Sequence, residues 1–330
     1  MIPQKTRGAI AMAKEIGGYM ELEHFHGKEM YPALYKVNLG RTALVWLLQR
    51  IEHRRVFIPA YICESVIDSA AHAGFEVVLY GLDENLEPVW GHEGAPGPDD
   101  ILYLVSYYGQ LTRDTIERYR DKFYCVIVDN AQAFYDKPVE GVHTIYTVRK
   151  FFGLSDGAYI ATDIDTTHDD IPADSSAGRM KHLIGRLEGS ARDYYSEMLA
   201  VSDTFGTEIP RKMSPLTENL LKGIDYEYVR SRRRDNYHTL SRLLPDDNPF
   251  NRIMPECPWA YPYHHENGPE LRKYLASRSI FVPTNWSYLL KKMPEGTLEH
   301  DWAADILPLP VDQRYSEEEM NIIAKAIREF

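Results

Sequence analysis

Apolar positions in the first half of the chain switch repeatedly between helical spacing and short unbroken runs. From Thr42 to about His53, Ala43, Leu44, Leu47, Leu48 and Ile51 recur every three or four residues, and Val56-Phe57-Ile58 then runs extended up to Pro59. A second helical stretch from about Ser65 to His72 stops at Gly74 and gives way to Val77-Val78-Leu79-Tyr80. Ile101 to Val105 and Tyr124 to Val128 are further strand candidates. Repeated helix–strand alternation with fully apolar strands predicts a mostly parallel sheet covered by helices on both faces, an α/β architecture. The Gly/Pro-rich stretch Gly91 to Pro98 reads as a surface loop and lacks the strand–turn–helix setting of a dinucleotide fingerprint.

The pattern changes after about Asp163. An acidic, weakly apolar segment to Asp174 and a polar, helix-permissive region to about Phe205 predict a mobile insertion over 163–210. A single long helix is expected from Pro215 to Leu244, with Leu216, Leu220, Leu221, Ile224 and Tyr228 on its apolar face and Arg230, Arg232, Arg233 and Arg234 on a solvated one. Ser316-Glu317-Glu318-Glu319 is a capping box ahead of a closing helix, whose stripe of Met320, Ile323, Ala324 and Ile327 docks on a small C-terminal α+β domain. The expected division is a large α/β domain over 1–240 and a small domain over 241–330.

Composition narrows the functional classes. The chain of 330 residues is 44% hydrophobic and 26% charged, which suits a globular protein of about two domains. With 37 Lys and Arg against 49 Asp and Glu, the net charge of −12 repels a phosphate backbone, so no nucleic-acid partner is expected. Apolar runs fall short of the roughly 18 residues of a membrane span. Cys63, Cys125 and Cys257 show no CxxC spacing and no secretory leader is evident, so a reducing cytoplasm is the expected location.

Three segments carry chemistry. In Tyr124-Cys-Val-Ile-Val-Asp129-Asn-Ala-Gln132, a buried strand ends in a carboxylate, at the edge where open α/β sheets bind ligands. In Tyr146-Thr147-Val-Arg149-Lys150-Phe-Phe-Gly153, a lysine with apolar and glycine neighbours follows an extended stretch. Burial there would favour its amine form. Asn38-Leu-Gly40-Arg41-Thr42-Ala43 opens a helix, where backbone donors can hold a phosphate. An amine, a carboxylate for a ring nitrogen and a phosphate-binding helix start are the three requirements of pyridoxal 5′-phosphate.

These segments resemble the DegT-type sugar aminotransferases, which are fold type I pyridoxal-phosphate enzymes. Glu15-Ile-Gly-Gly-Tyr, Ile58-Pro-Ala-Tyr-Ile-Cys63 and Ile306-Leu-Pro-Leu-Pro310-Val-Asp-Gln-Arg-Tyr-Ser316 extend the likeness over most of the chain. The resemblance implies a homodimer that moves an amino group from a donor such as glutamate to a keto substrate, a nucleotide-linked keto sugar. It implies that Lys150 is the Schiff-base lysine, Asp129 the partner of the pyridine nitrogen and Gln132 a neighbour of the phenolic oxygen. Gly40, Arg41, Thr42 and Ala43 would form the phosphate site, with Thr42 and the amides of Thr42 and Ala43 as ligands.

The chain departs from the family in several places. Ile145 stands where a serine usually lies five residues before the lysine, and Thr147, three before it, is the alternative phosphate ligand. Cys63, or Tyr61 two residues away, occupies the region of the ring that usually stacks on the cofactor. Pro210-Arg211-Lys212-Met213-Ser214 corresponds to a segment that carries a cross-subunit asparagine in the family, and the asparagine is missing; Arg149 is a candidate substitute charge for the phosphate, or else a member of a surface salt bridge. Lyase, dehydratase or non-sugar aminotransferase chemistry, or a non-catalytic sugar-nucleotide-binding relative, would use the same lysine and aspartate. Tyr107, Tyr108, Asn285, Trp286 and Arg314 are candidate substrate contacts. The pairs His24/His26 and His264/His265 lack the spacing of a helix-borne metal site, and no metal is expected.

Overall fold

A computed structural model describes residues 16–167, 170–205 and 209–330. Glu15 of the first family-like segment, and 168–169 and 206–208 of the expected insertion, lie outside the described residues. In chain order the strands are β1 (Tyr35–Val37), β2 (Arg55–Pro59), β3 (Glu76–Leu82), β4 (Pro88–Val89), β5 (Asp100–Val105), β6 (Cys125–Asp129), β7 (His143–Thr147), β8 (Ala158–Ala161), β9 (Ala260–His264) and β10 (Ile306–Pro310). The α-helices are α1 (Gly40–Leu48), α2 (Glu64–His72), α3 (Arg113–Lys122), α4 (Lys181–Glu188), α5 (Tyr195–Asp203), α6 (Pro215–Leu221), α7 (Tyr226–Leu243), α8 (Gly268–Ser277), α9 (Leu289–Lys292), α10 (Leu298–Asp305) and α11 (Glu317–Arg328).

Eight strands form one sheet in the order β1-β8-β7-β6-β5-β2-β3-β4. The central run β3-β2-β5-β6-β7 is parallel, while β8 is antiparallel to β7, β1 to β8 and β4 to β3. Side chains alternate across the pleat, which explains why whole apolar runs are required. Phe57, Leu102, Leu104, Val126 and Val128 enter one core with Ile116 and Tyr119 of α3. Val56, Ile58, Ile101, Tyr103, Cys125 and Ile127 enter the other with Leu44, Trp46 and Leu47 of α1. The parallel register aligns Asp129 with Val105 on one side and Ile145 on the other, so the carboxylate stands at the carboxyl edge.

A second sheet pairs β9 with β10 antiparallel. Around it Tyr237 and Leu240 of α7, Leu271 and Leu275 of α8, and Met320, Ile323, Ala324 and Ile327 of α11 form a separate core. The capping box is in place, with Glu319 Oε2 accepting the Ser316 amide at 2.8 Å. Phe250, Leu289, Trp302 and Ile306 from this C-terminal part also fill the core under β2, β5 and β6. No helix among the described residues is long and apolar enough to cross a membrane.

Two expectations need correction. The single helix over 215–244 is two helices, because Gly223 intervenes and the Asp225 carboxylate caps a new start by accepting the Tyr228 amide at 2.9 Å. The basic run is not uniformly solvated either. Arg233 is buried and donates to the carbonyls of Phe151, Pro258 and Trp259 and to Gln313 Oε1 at 2.8–3.1 Å. Four acceptors offset the desolvation of its charge, and an i, i+3 pattern of arginines cannot reveal them. The described residues of 163–210 include α4 and α5, and Ala173 bridges to Lys212.

Candidate active site

Lys150 sits in the turn after β7 and faces the end of β6. Burial pulls its amine below the usual lysine range, opposed by Asp129 and by the Cys63 sulfur. Its Nζ stands 4.7 Å from the ring centroid of Trp259. Burial pushes the Asp129 carboxyl above the usual carboxylate range, and the Ala131 amide, Lys150 and Tyr103 pull it back. The Ala131 amide donates to Asp129 Oδ1 at 2.8 Å, and the Tyr103 hydroxyl to Oδ2 at 2.9 Å. An amine and a carboxylate are thus held together in a desolvated cleft, which is the arrangement of groups tuned for proton chemistry.

The other end of the cleft is built by α1 and the β7–β8 connection. A Cβ on Gly40 would lie 3.9 Å from Thr147 Cβ, so the first turn of α1 abuts the strand that leads to Lys150. Gly157 sews the two together: its amide donates to the Asn38 carbonyl at 2.5 Å and its carbonyl accepts the Val148 amide at 3.1 Å. Only glycine fits, because φ is +117° and a Cβ would approach Val148 Cγ2 to 2.7 Å. Asn38 also donates its amide to the Arg211 carbonyl at 2.9 Å. The segment 210–214 is therefore stitched to its own chain.

Several expected ligands are engaged inward. The Thr42 hydroxyl lies 2.6 Å from Asn38 Oδ1 and 2.9 Å from the Leu39 carbonyl, and the Ala43 amide already donates to Leu39 O at 2.9 Å. The amides ahead of that first helical bond are those of Gly40, Arg41 and Thr42. Thr147 Oγ1 reaches the Gly157 carbonyl at 3.5 Å, and Ile145 is packed in the core. Gln132 is buried, and its Oε1 accepts the Tyr108 amide at 2.8 Å. Tyr61 turns into an aromatic nest with Tyr107, Phe250, Trp286 and Trp302, whereas Cys63, at the start of α2, is the one of the two that lies near Lys150.

Among the candidate substrate contacts, Asn285 Nδ2 donates to the Tyr108 hydroxyl at 3.0 Å, and Arg314 is paired with Asp312. Arg314 also borders a cavity of about 910 Å³ beside Arg149, between α4–α5 and residues 276–283. Arg186, Arg192, Tyr194 and Phe281 line it too, and no described lining residue is acidic. Sequence reasoning missed Trp259 and Tyr103. A tyrosine inside an apolar strand is a usable signal, since its hydroxyl needs a partner, but nothing local marks Trp259. Among the described residues no cluster of His, Cys, Asp or Glu is placed to hold a metal ion.

The residues fit pyridoxal phosphate. Beyond the amine, the carboxylate and the helix start, Ser106 Oγ and Asn130 Oδ1, at the ends of β5 and β6, are buried without a partner among the described residues. The mostly parallel sheet with helices on both faces is a fold shared with solved aminotransferase structures. Solved structures with this fold include DesV from S. venezuelae in complex with a ketimine intermediate, at 19% identity over 89% of this chain and 84% of that one, with a TM-score of 0.61. A DegT DnrJ EryC1 StrS aminotransferase from Brucella abortus matches at 16% identity, 90% and 85% coverage and a TM-score of 0.57. The sugar aminotransferase CalS13 from Micromonospora echinospora matches at 14%, 90% and 87%, and 0.58. No family model and no curated protein matches the chain.

Proposed function

We propose that the protein is a pyridoxal-phosphate-dependent aminotransferase that moves an amino group from a donor such as glutamate to a keto substrate, a nucleotide-linked keto sugar. The observation that carries this reading is the half-buried, desolvated pair of Lys150 and Asp129 at the carboxyl edge of the sheet. When bound, pyridoxal phosphate supplies an electron sink for the pair released at the substrate α-carbon. Asp129 holds the proton on the ring nitrogen, and Tyr103 and the Ala131 amide hold Asp129 in place. Lys150, with its lowered proton affinity, would take the substrate α-proton as base and return it as acid. Cys63 covers the cofactor region in place of an aromatic ring. The cationic and aromatic cavity beside Arg149 supports an anionic, nucleotide-bearing substrate.

A homodimer is part of the same proposal. Its support is the exposed apolar set Ile16, Tyr19, Met20, Leu187 and Ile209. Cytoplasmic location and the division into 1–240 and 241–330 also belong to it. The test is the visible spectrum of the protein mixed with pyridoxal phosphate, followed by borohydride reduction and peptide mapping. Attachment at Lys150, and a spectral shift on adding glutamate, is the expected result. Folded protein that forms no bond at Lys150 overturns the reading.

A further inference from the structure

We propose that the phosphate of the cofactor is gripped by two guanidinium groups of this chain, Arg41 in the first turn of α1 and Arg149 beside Lys150, with Arg179 behind them. The inference rests on the pyridoxal-phosphate reading above. It replaces the neutral hydroxyls of Thr42 and Thr147, which are engaged inward.

All three arginines converge on Phe205. The guanidinium carbon of Arg149 stands 4.3 Å from the ring centroid and that of Arg179 5.4 Å, and Arg41 donates to the Phe205 carbonyl. Clustered cations that are partly withdrawn from water, as these three are, are unfavourable unless an anion joins them. Burial, then Arg41 and Arg179, push Arg149 down to about 10, and Asp156 opposes this only in part. Asp156 is itself engaged by the Ser214 amide and hydroxyl and by the Thr217 hydroxyl. Asp174 is taken by Arg179 at 2.6 Å and Asn38 Nδ2 at 3.1 Å. Arg179 Nε and His182 Nδ1 are buried without a partner among the described residues. Arg41 belongs to the first turn of α1, whose Gly40 abuts the strand that leads to Arg149 and Lys150. A phosphate monoester dianion is the ligand that satisfies guanidinium forks and helix amides together.

The test uses pyridoxamine phosphate and pyridoxamine, which form no bond to Lys150 and differ only in the phosphate. Dissociation constants are measured by calorimetry for the wild-type protein, Arg41→Met, Arg149→Met, Arg149→Lys and Thr147→Val, each checked for folding by circular dichroism. Each Arg→Met variant should lower the preference for the phosphorylated ligand by about tenfold or more while pyridoxamine binds as before. Arg149→Lys should restore part of it, and Thr147→Val should change it by less than about twofold. A preference that survives both Arg→Met variants overturns the inference. So does a loss confined to binding of uridine diphosphate, which would assign the cluster to a substrate phosphate instead. Failure of pyridoxal phosphate to attach to Lys150 is a different result, which removes the reading beneath it.

Discussion

At one end of the cleft a cation faces an anion across the edge of the sheet; at the other, three cations share one phenylalanine. Lys150 and Asp129 compensate each other, and each moderates the pKa shift that burial imposes on its partner. Arg41 and Arg179 add to the burial that pushes Arg149 down; Asp174 compensates Arg179, and Asp156 is held by Ser214 and Thr217. A self-compensated pair can persist without ligand and is suited to moving a proton. A cluster with one carboxylate among three guanidiniums keeps an excess positive charge for an incoming anion.

The comparison can be broken in order of expected effect. Lys150→Ala should abolish covalent attachment and reduce amino transfer from glutamate by about a thousandfold or more, while pyridoxamine phosphate still binds. Coupled-assay turnover beside calorimetry separates the two. Asp129→Asn, nearly isosteric, should lower turnover by about a hundredfold and leave the preference for phosphate intact, because the defect lies at the ring end. Gly157→Ala strains both ends at once. It should cost about 2–4 kcal/mol in urea unfolding, from overpacking against Val148 and a disfavoured φ. An unchanged midpoint would refute the close approach.

The smallest effect is a pH dependence. Arg149 sits down near 10 in the free protein, so its proton is lost as pH rises through that value, and a bound dianion favours the charged form. The preference for pyridoxamine phosphate over pyridoxamine should therefore fall several-fold above about pH 10. Arg149→Met should show a flatter profile. Charges common to both ligands, including Lys150, cancel in the ratio.

The two ends also differ in how far they can be read from the chain. Asp129 ends an apolar run and Lys150 follows one, so strand periodicity alone brings each to the sheet edge. β2, β3, β5 and β6 follow from the same periodicity. Residues 41, 149, 179 and 205 meet only through tertiary contacts, and a basic residue carries no local sign of its neighbours. The partners of the hydroxyls are equally invisible in the sequence: Thr42 reaches Asn38 and the Leu39 carbonyl, and Thr147 the Gly157 carbonyl. The long helix over 215–244 fails at Gly223 and Asp225, where a capping signal outweighs a continuous apolar face. Arg233 looks like a surface charge until the acceptors from 151, 258, 259 and 313 are brought around it.

That guanidinium also constrains how the cleft can open. It joins the residue after Lys150 to the strand entering the small antiparallel sheet, and breaking this seam would leave a buried charge unpaired at a cost of about 3–5 kcal/mol. A hinge there is too stiff to swing with each turnover. The seam acts as a fixed jamb that holds the connection after Lys150 against the small sheet.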